Sequence, residues 1–480
     1  MKKGIITLAV VILAALFLST FVEENKMDKD NNEDNIVMSV EGLNLNLDKV
    51  SSLTKDDENI ICATCRGLVK LNNSNEVILD LAKDLEVSSD GIEYKFILRD
   101  DIYWSDGEKI KPEEVLIYFK TLIQNEDNEN IEALLNVYGV DKFKQGVGTF
   151  EKDVAITCEE DNIKMRLNKR NDDFLAELSK PQYRLRRNLY LWEDVESNYN
   201  RIAYSGDYSI SDISNNSIEL KNNKNPEGKK IIMIKDYSKE DSMASYEIGD
   251  RDIVVDVPVS QVARLDKNKR ILSSSSGEGI YIAINSEKMD LGERKELVKK
   301  LYKAAEDYYD QNKKAVKFSE GSYFEEEMDD LDKLQSRKVS MTNSNESEFP
   351  EKIKVLINND DVIEDFTKFV TEYFSEKEYG TIAYEEKEED ELVDYTNFDM
   401  VVLRLKENAS QKKELYSGMQ QVFSEENKRY FTDVSKMEEN LFNSYTILPV
   451  MFVNRNIAVS DKVSSVRIDG NGNVDFSGLD

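Results

Sequence analysis

Two cysteines separated by two residues, Cys62 and Cys65, are the first residues whose type and spacing could carry chemistry. Such a pair can form a dithiol redox centre or supply half of a structural zinc site. The chain has 3 cysteines and no histidine, so it cannot complete the usual four-ligand zinc site. We predict no metal and no cofactor, and we interpret both residues as small side chains on or near a helix. The sequence leaves a disulfide between them open, and Cys158 is expected in a core strand.

The missing histidines also remove the common catalytic arrangements. Ser/His and Cys/His nucleophiles, imidazole metal ligands and a histidine pH switch are excluded. Carboxylates are abundant, but no pair stands out as a general acid and base. The net charge of −31 and the isoelectric point near 4.6 disfavour a nucleic-acid partner, because phosphate binding requires a basic surface. We therefore predict a protein that is neither an enzyme nor a nucleic-acid binder.

The clearest predicted elements lie in residues 92–119. Apolar side chains alternate with polar ones over a predicted strand with one buried face, at Tyr94, Phe96 and Leu98. Turn residues follow, at Ser105, Asp106 and Gly107. Pro112 suits the first turn of a helix, and the residues of its apolar side are Val115, Ile117, Tyr118 and Phe119. We expect Tyr103 and Trp104 to pack within this unit.

Helix and strand patterns recur through the second half of the chain. Apolar residues at helical spacing predict helices at 291–310, 362–373 and about 412–431. Alternating patterns predict strands at 353–357 and 398–405. Residues 318–350 are rich in acidic side chains, and we predict a stretch of low order there. A chain of 480 residues with 40% hydrophobic residues can bury two or three cores.

Residues 1–35 are predicted to be a signal or anchor segment with its linker. Lys2 and Lys3 precede an uncharged run over residues 5–22, and Glu23 follows it. This order is typical of an export signal, which places the rest of the chain outside the cell. No A-x-A cleavage site is visible, and the run has the minimal length of a spanning helix. We predict an uncleaved membrane anchor, the alternative being secretion after cleavage.

Several short motifs occur in a fixed order along the chain. The most specific is Leu98-Arg99 followed by Trp104-Ser105-Asp106-Gly107. The others, in chain order, are Arg66-Gly67-Leu68-Val69, residues 78–91, Ser205-Gly206-Asp207-Tyr208, residues 218–225, residues 247–253, Ala283-Ile284-Asn285 and Ile447-Leu448-Pro449-Val450. Together they resemble, over roughly residues 36–475, the family 5 extracellular solute-binding proteins, which are the oligopeptide- and dipeptide-binding receptors of bacterial ABC importers.

The resemblance implies an α/β fold of the two-lobed periplasmic-binding-protein type (type II, cluster C), with mixed sheets and an additional subdomain. Family members close their lobes over the ligand, and a peptide adds main-chain hydrogen bonds like an extra strand. Trp104, Ser105, Asp106 and Gly107 would mark the scaffold. The expected divisions are 36–60 and 196–256 for lobe I, 61–195 for an inserted subdomain with the Trp104 motif, 257–443 for lobe II and 444–480 for a return to lobe I.

The ligand-contacting motifs of the family are altered in this chain. Oligopeptide binders place a GW-x-x-D-Y run after the strand that here begins with Phe398-Asp399, and its Asp meets the amino terminus of the ligand. Residues 403–408 replace that run, and Leu53 stands at the position of an acidic contact. The candidate ligand contacts are Leu53, Thr54, Lys55, Arg404, Glu407 and Asn408. Arg404 could hold a ligand carboxylate, and Asp399, Glu407 or the acids of residues 385–391 could hold a ligand amine.

The resemblance predicts a protein that captures peptides or similar extended solutes for an ABC importer. Its partners would be the solute, the permease subunits and the membrane, reached through the N-terminal helix, and it would act as a monomer. Gram-positive relatives are usually lipoproteins, but no cysteine precedes Cys62, so we predict an unlipidated protein on the outer face of the cell membrane. The alternative is a membrane-anchored sensory or interaction module that kept the fold and lost transport.

Overall fold

The structure, a computed structural model, describes residues 35–479 except 215, 256, 326–327, 329–330, 343–349, 388–393, 407–411, 413–414, 417–418, 420–421, 423–433 and 464. Its strands are β1 Ile36–Val40, β2 Val69–Leu71, β3 Val77–Leu79, β4 Ala82–Val87, β5 Glu93–Leu98, β6 Ile156–Glu159, β7 Asn162–Arg166, β8 Tyr208–Ser214, β9 Ser217–Asn222, β10 Ile231–Lys235, β11 Ile253–Val254, β12 Ile271–Ile284, β13 Val316–Phe318, β14 Lys352–Asn358, β15 Thr381–Lys387, β16 Met400–Lys406, β17 Ile447–Val459, β18 Arg467–Ile468 and β19 Val474–Asp475.

The helices connect and cover these strands. They are α1 Lys55–Thr64, α2 Pro112–Asn125, α3 Glu132–Leu135, α4 Val140–Lys144, α5 Phe150–Asp153, α6 Phe174–Leu178, α7 Val195–Asn198, α8 Lys239–Glu247, α9 Val259–Lys267, α10 Leu291–Gln311, α11 Leu331–Thr342, α12 Asp361–Glu376 and α13 Val434–Asn443. The predicted helix at 291–310 corresponds to α10, and the one at 362–373 to α12. The helix predicted at 412–431 falls largely on residues outside those described.

One sheet of 11 strands runs through both lobes. Its order is β15-β14-β16-β12-β17-β11-β1-β10-β9-β8, and β13 pairs with β17. We assign β15, β14, β16 and β12 to lobe II and the strands from β11 to β8 to lobe I. Parallel pairs, such as β1 with β10, occur beside antiparallel ones, such as β12 with β16. The predicted α/β class with mixed sheets is confirmed.

Two long strands link the lobes. β12 has 14 residues and β17 has 13, and their pairing extends from Ile271 opposite Ala458 to Ala283 opposite Ile447. The register shifts at a bulge over residues 275–278. Gly277 has a φ of 69° in this bulge, a conformation that glycine adopts without steric cost. The lobes are therefore joined by a strand pair with a local irregularity where bending is easiest.

The described residues bury three apolar clusters, which agrees with the predicted two or three cores. The lobe I core includes Ile60 and Trp192, and the lobe II core includes Leu301 and Phe366. A separate core lies in the subdomain, around Phe96. Each core is the apolar face of a sheet covered by helices, which is how an α/β protein removes apolar surface from water.

The subdomain contains a four-stranded sheet, β4-β5-β7-β6, with α2 against it. The alternation predicted for residues 94–98 is confirmed in β5, and α2 begins at Pro112. Trp104 is 2% exposed, as expected. Tyr103 was expected to pack within this unit and Ile117 to lie on the apolar side of α2. Both predictions were wrong, because Tyr103 is 54% and Ile117 is 61% exposed. Ile117 lies two residues from Val115, so it points away from the face that Val115 buries.

The prediction of low order for residues 318–350 was also wrong in part. Residues 331–342 form α11, and Leu334 and Met341 on it are buried. These two side chains lie about two helical turns apart, so one apolar stripe can face the core even in an acidic segment. Arg337 between them donates to Glu438 at 2.5 Å, and both residues are buried.

The predicted N-terminal anchor, at residues 5–22, lies outside the described residues. Within residues 35–479, as far as the structure describes them, no helix combines the length and the apolar character needed to cross a membrane. The first described strand, β1, lies in the interior of the large sheet between β10 and β11.

Candidate ligand-binding site

A cleft of about 420 Å³ lies between the two lobes. Lobe I contributes Leu53 and Lys55 to its lining, and lobe II contributes Arg404 and Lys406. The linking strands contribute residues 275–276 and 453–456. Three of the predicted ligand contacts, Leu53, Lys55 and Arg404, are therefore brought to one cavity from distant parts of the chain.

Thr54, also predicted as a ligand contact, is not in the cleft lining but supports the lobe I wall from behind its lining residues. It is the N-cap of α1, where its Oγ1 accepts a hydrogen bond from the Asp57 amide at 3.2 Å, and Asp57 Oδ2 accepts one from the Thr54 amide at 2.9 Å. Burial raises the pKa of Asp57, although the hydrogen bonds from Thr54 oppose this effect. Lys55 Nζ lies 2.5 Å from Glu58 Oε2. Thr54 thus positions Leu53 and Lys55 on either side of it.

We expect Thr54→Ala to lower the free energy of unfolding by about 1 kcal/mol, because loss of an N-cap side chain leaves helical amides unpaired. Urea unfolding followed by circular dichroism would measure the change. Ser52→Ala is the matched control, since the Ser52 hydroxyl donates only to exposed carbonyl oxygens, those of Asn46 and Lys49. An equal loss in the two variants would contradict the capping role.

Arg404 is held between two carboxylates on the lobe II wall. Its Nε and Nη2 donate to Glu278 Oε2 at 2.9 and 2.6 Å, and its Nη1 donates to Asp360 Oδ2 at 2.6 Å. Asp360 also caps α12, because its Oδ1 accepts hydrogen bonds from the amides of Val362 and Ile363. Burial alone would lower the pKa of Arg404, but the two carboxylates outweigh it and raise that pKa. The guanidinium is charged and fixed in position.

β16 has an unpaired edge where it reaches the cleft. Its register with β14 covers residues 400–402 only, opposite residues 355–357. β14 ends at Asn358, and the chain then turns into α12. Along residues 403–406 this edge has no neighbouring strand in the part of the chain that the structure describes, whereas the opposite edge pairs with β12.

A lysine joins the lobes at the rim of the cleft. Lys239, the first residue of α8 in lobe I, has its Nζ 2.7 Å from Asp361 Oδ2 in lobe II and 3.5 Å from Glu41 Oε1 in lobe I. All three side chains are at least one-third exposed, so the bridge contributes only about 0–1 kcal/mol. It is weak enough to break when the lobes separate.

The acids suggested by the sequence as amine partners are absent from the cleft lining wherever the structure describes them. Asp399 Oδ2 accepts from the Lys354 amide at 2.8 Å, and its Oδ1 lies 3.4 Å from Lys288 Nζ, just before the start of β16. Glu385 is on β15 and pairs with Lys354 at 2.9 Å. Residues 388–393, Glu407 and Asn408 lie outside the described residues.

Sequence reasoning missed Glu278 and Asp360, the two carboxylates that hold Arg404. Asp360 carried a usable signal, since an Asp directly before a predicted helix is a typical N-cap. No sequence pattern marked Glu278, because it lies just after a run of serines and meets Arg404 only through the pairing of β12 with β16. Lys239, Lys406 and Arg455, the other cations of the cleft lining, were missed for the same reason.

The Trp104 motif lies in the subdomain and makes structural contacts. Trp104 Nε1 donates to Glu114 Oε2 at 3.1 Å, and Ser105 Oγ accepts from the Tyr204 amide at 3.0 Å. Asp106 Oδ1 accepts from the Glu108 amide at 3.0 Å, and Gly107 has a φ of 87°. These contacts fix a turn between the subdomain and lobe I.

The cysteine pair lies at the end of α1, as the sequence predicted. Cys62 and Cys65 are both free thiols. Burial raises the pKa of Cys65 to about 11 and raises that of Cys62 well above its ordinary range. Thiols with such values are poor nucleophiles, so the interpretation as structural residues is supported. Cys158, in β6, is half-buried against the subdomain core.

A second groove, of about 930 Å³, lies between α2 and residues 185–193. Trp104 and Tyr118 line it, and the exposed side chains of Ile117 and Tyr190 lie at its rim. All its lining residues belong to lobe I and the subdomain. Because relative movement of the lobes would not close this groove, the interlobe cleft is the better candidate for a ligand site.

Sequence comparisons find a similarity to solute-binding proteins over part of the chain. Residues 76–301 match the model of the bacterial extracellular solute-binding proteins, family 5 middle. The oligopeptide-binding protein OppA of Bacillus subtilis (strain 168) is 29% identical over 111 residues, which are 23% of this chain and 20% of that protein. The matched segment thus spans about a fifth of the length of that curated relative.

Structural comparisons extend over nearly the whole chain. The Escherichia coli murein tripeptide binding protein MppA has a TM-score of 0.60 at 14% identity and matches 92% of this chain and 96% of its own. Listeria monocytogenes OppA bound to peptide has a TM-score of 0.58 at 14% identity and matches 92% of this chain and 97% of its own. The fold is that of the two-lobed periplasmic binding proteins, as predicted. The sequence matches support the predicted resemblance to family 5 of the bacterial extracellular solute-binding proteins over residues 76–301.

Proposed function

We propose that the protein captures an extended peptide in the interlobe cleft and presents it to an ABC importer. The observation that carries this proposal is the unpaired edge of β16 at residues 403–406. Arg404 and Lys406 on this edge also line the cleft. Unpaired amide and carbonyl groups on a strand edge accept a further strand, and peptide receptors use this mode. The similarity to family 5 supports binding, and the export, outer-face location and permease contacts are parts of the same proposal.

Capture would involve closure of the lobes about β12 and β17. The bulge at residues 275–278 is one of two register shifts in the strand pair, and few residues need to change their backbone angles in a hinge. Lys239 with Asp361 then forms a reversible contact across the rim. In this proposal Leu53 and Lys55 approach the peptide from lobe I, while β16 pairs with it from lobe II.

Ligand retention tests this proposal. The purified full-length protein is expected to release peptides that mass spectrometry detects, and a peptide library is expected to raise its Tm. A ligand at one hundred times its Kd stabilises the folded state by about 2.7 kcal/mol, which is readily measured. Leu53→Trp, which fills the cleft, should abolish the shift, and Leu291→Trp, at an exposed site outside the cleft lining, should preserve it.

A protein that retains no peptide and shows no Tm shift with the library would contradict the proposal. That result would favour the alternative, an interaction or sensory module that keeps the fold without transport. A shift that survives Leu53→Trp would place the ligand elsewhere, the groove beside Trp104 being the next site to test.

A further inference from the structure

We infer that the ligand presents a carboxylate to the unpaired edge of β16, and that Arg404 and Lys406 determine this specificity. The inference rests on the proposed function and names the chemical class of ligand that this edge of the cleft takes. It follows from a comparison of the hydrogen-bond donors and acceptors that remain available beside residues 403–406.

Arg404 has donors left after its own pairing. A guanidinium carries five N–H groups, and hydrogen bonds to Glu278 and Asp360 use three of them. One N–H on each Nη atom remains, and the side chain is 27% exposed. Because the two carboxylates hold the planar group in place, little side-chain entropy is lost when a ligand carboxylate binds it.

Lys406 adds a second cation on the same face of the sheet. Opposite residues of an antiparallel pair share a face, and Lys406 lies opposite Glu278 while Arg404 lies opposite Ile280. Lys406 is exposed and lines the cleft, and no ion pair joins it to any residue that the structure describes. Its ammonium is therefore available to a bound anion.

The carboxylates at this edge are already engaged. Both oxygens of Asp360 accept hydrogen bonds, one from Arg404 and the other from the amides that begin α12. Glu278 Oε2 accepts two from Arg404. Glu278 Oε1 could accept a ligand ammonium, but the Arg404 guanidinium that is bonded to the same carboxylate would repel that cation.

Arg455 is a third cation in the cleft lining. Arg455 on β17 lines the cleft, is 5% exposed, and donates from Nη1 to the Gly472 carbonyl oxygen at 3.1 Å. Arg404, Lys406 and Arg455 all line the cleft, while the whole chain carries a net charge of −31. A buried cation interacts strongly with a nearby anion because the surrounding dielectric is low. The charges of the cleft lining as a whole nearly balance, with five cations and four acids, whereas the edge of β16 places two cations, Arg404 and Lys406, on one face.

Peptides with blocked ends test the inference. A short peptide of Ala and Tyr would be titrated by calorimetry into the full-length protein with both ends free, N-acetylated, or C-amidated. We expect amidation to weaken binding about tenfold or more, the loss of one charge-assisted contact, and acetylation to change it little. A doubly blocked peptide containing Glu, compared with its Gln counterpart, shows whether a side-chain carboxylate serves equally well.

Variants connect the effect to the proposed residues. Lys406→Gln and Arg404→Gln should each reduce the difference between free and amidated peptides, and Lys83→Gln, which makes the same charge change in the subdomain, should preserve it. If Arg404→Gln fails to fold, Lys406→Gln alone decides. Weaker binding after acetylation but not after amidation would overturn the inference and leave peptide capture intact. Binding by none of the peptides would overturn the proposed function itself.

Discussion

Arg184→Met is expected to destabilise the protein by about 3–5 kcal/mol, the cost of leaving a buried charge without its partner. Arg184 is 5% exposed, and its Nη1 donates to the carbonyl oxygens of Cys62 and Cys65 at 3.3 and 3.2 Å. Its Nη2 lies 3.6 Å from Asp469 Oδ2. One side chain thus ties the end of the subdomain to α1 and to the C-terminal segment.

Equilibrium unfolding in urea at neutral pH measures this loss. The matched control is Arg99→Met, since Arg99 is 41% exposed and pairs with a surface carboxylate, that of Asp101. This control variant should lose at most about 1 kcal/mol of unfolding free energy. Equal losses in the two variants would contradict the special role of Arg184.

The pH dependence of the Arg184→Met variant has a definite sign. Burial raises the pKa of Asp469, although Arg184 opposes this effect. Without Arg184 the pKa should rise further, so Asp469 becomes neutral in the folded state at a higher pH than in the unfolded chain. Stability gained by protonation is present at low pH and is lost as pH rises through the folded-state pKa. The difference from the unmutated protein should therefore be smaller near pH 4 than at pH 7.

Trp192→Ala is expected to lower the free energy of unfolding by about 3–5 kcal/mol, because it leaves a cavity in the lobe I core. Trp192 is 0% exposed, packs edge-on against Tyr204 with ring centroids 5.7 Å apart, and donates from Nε1 to the Arg187 carbonyl oxygen at 3.1 Å. Its own carbonyl accepts from the Leu47 amide at 2.7 Å. The residue thus stabilises the segment that leads to Leu53 on the cleft wall.

Tyr190→Ala is the matched control for Trp192. The two aromatic residues share one short segment, but Tyr190 is 66% exposed, so its loss should stay within about 0.5 kcal/mol. Thermal and urea unfolding of both variants would measure the contrast. A Trp192→Ala protein as stable as the Tyr190→Ala protein would show that the lobe I core tolerates the cavity.

Local patterns in the sequence were sufficient for much of the fold. The alternation of Tyr94 and Phe96 and the position of Pro112 specify their elements because they depend on near neighbours only. Ile117 shows the limit of this reasoning, since apolar character alone does not establish which side of a helix is buried. The helix at residues 331–342 was missed because its acidic composition outweighed a narrow apolar stripe.

The candidate site was less accessible from the sequence. Leu53, Lys55 and Arg404 were selected from the family resemblance, and the structure brings all three to the cleft. The partners of Arg404 could not be found in this way, because Glu278 is 126 residues away and meets it only across the β12–β16 register. Long-range strand pairing determines which charges become neighbours, and a single sequence does not record it.

The position of β17 also has a consequence for how the chain acquires its structure during synthesis. Residues 447–459 lie between β11 and β12 in the large sheet. Lobe I contains the first strand, β1, but its sheet is complete only when this segment near the C-terminus has been made. A nascent polypeptide emerges with its N-terminus first, and contacts between distant residues form slowly. Lobe I should therefore remain incomplete until translation is almost finished, so its earlier strands would stay without their full set of neighbours for most of synthesis.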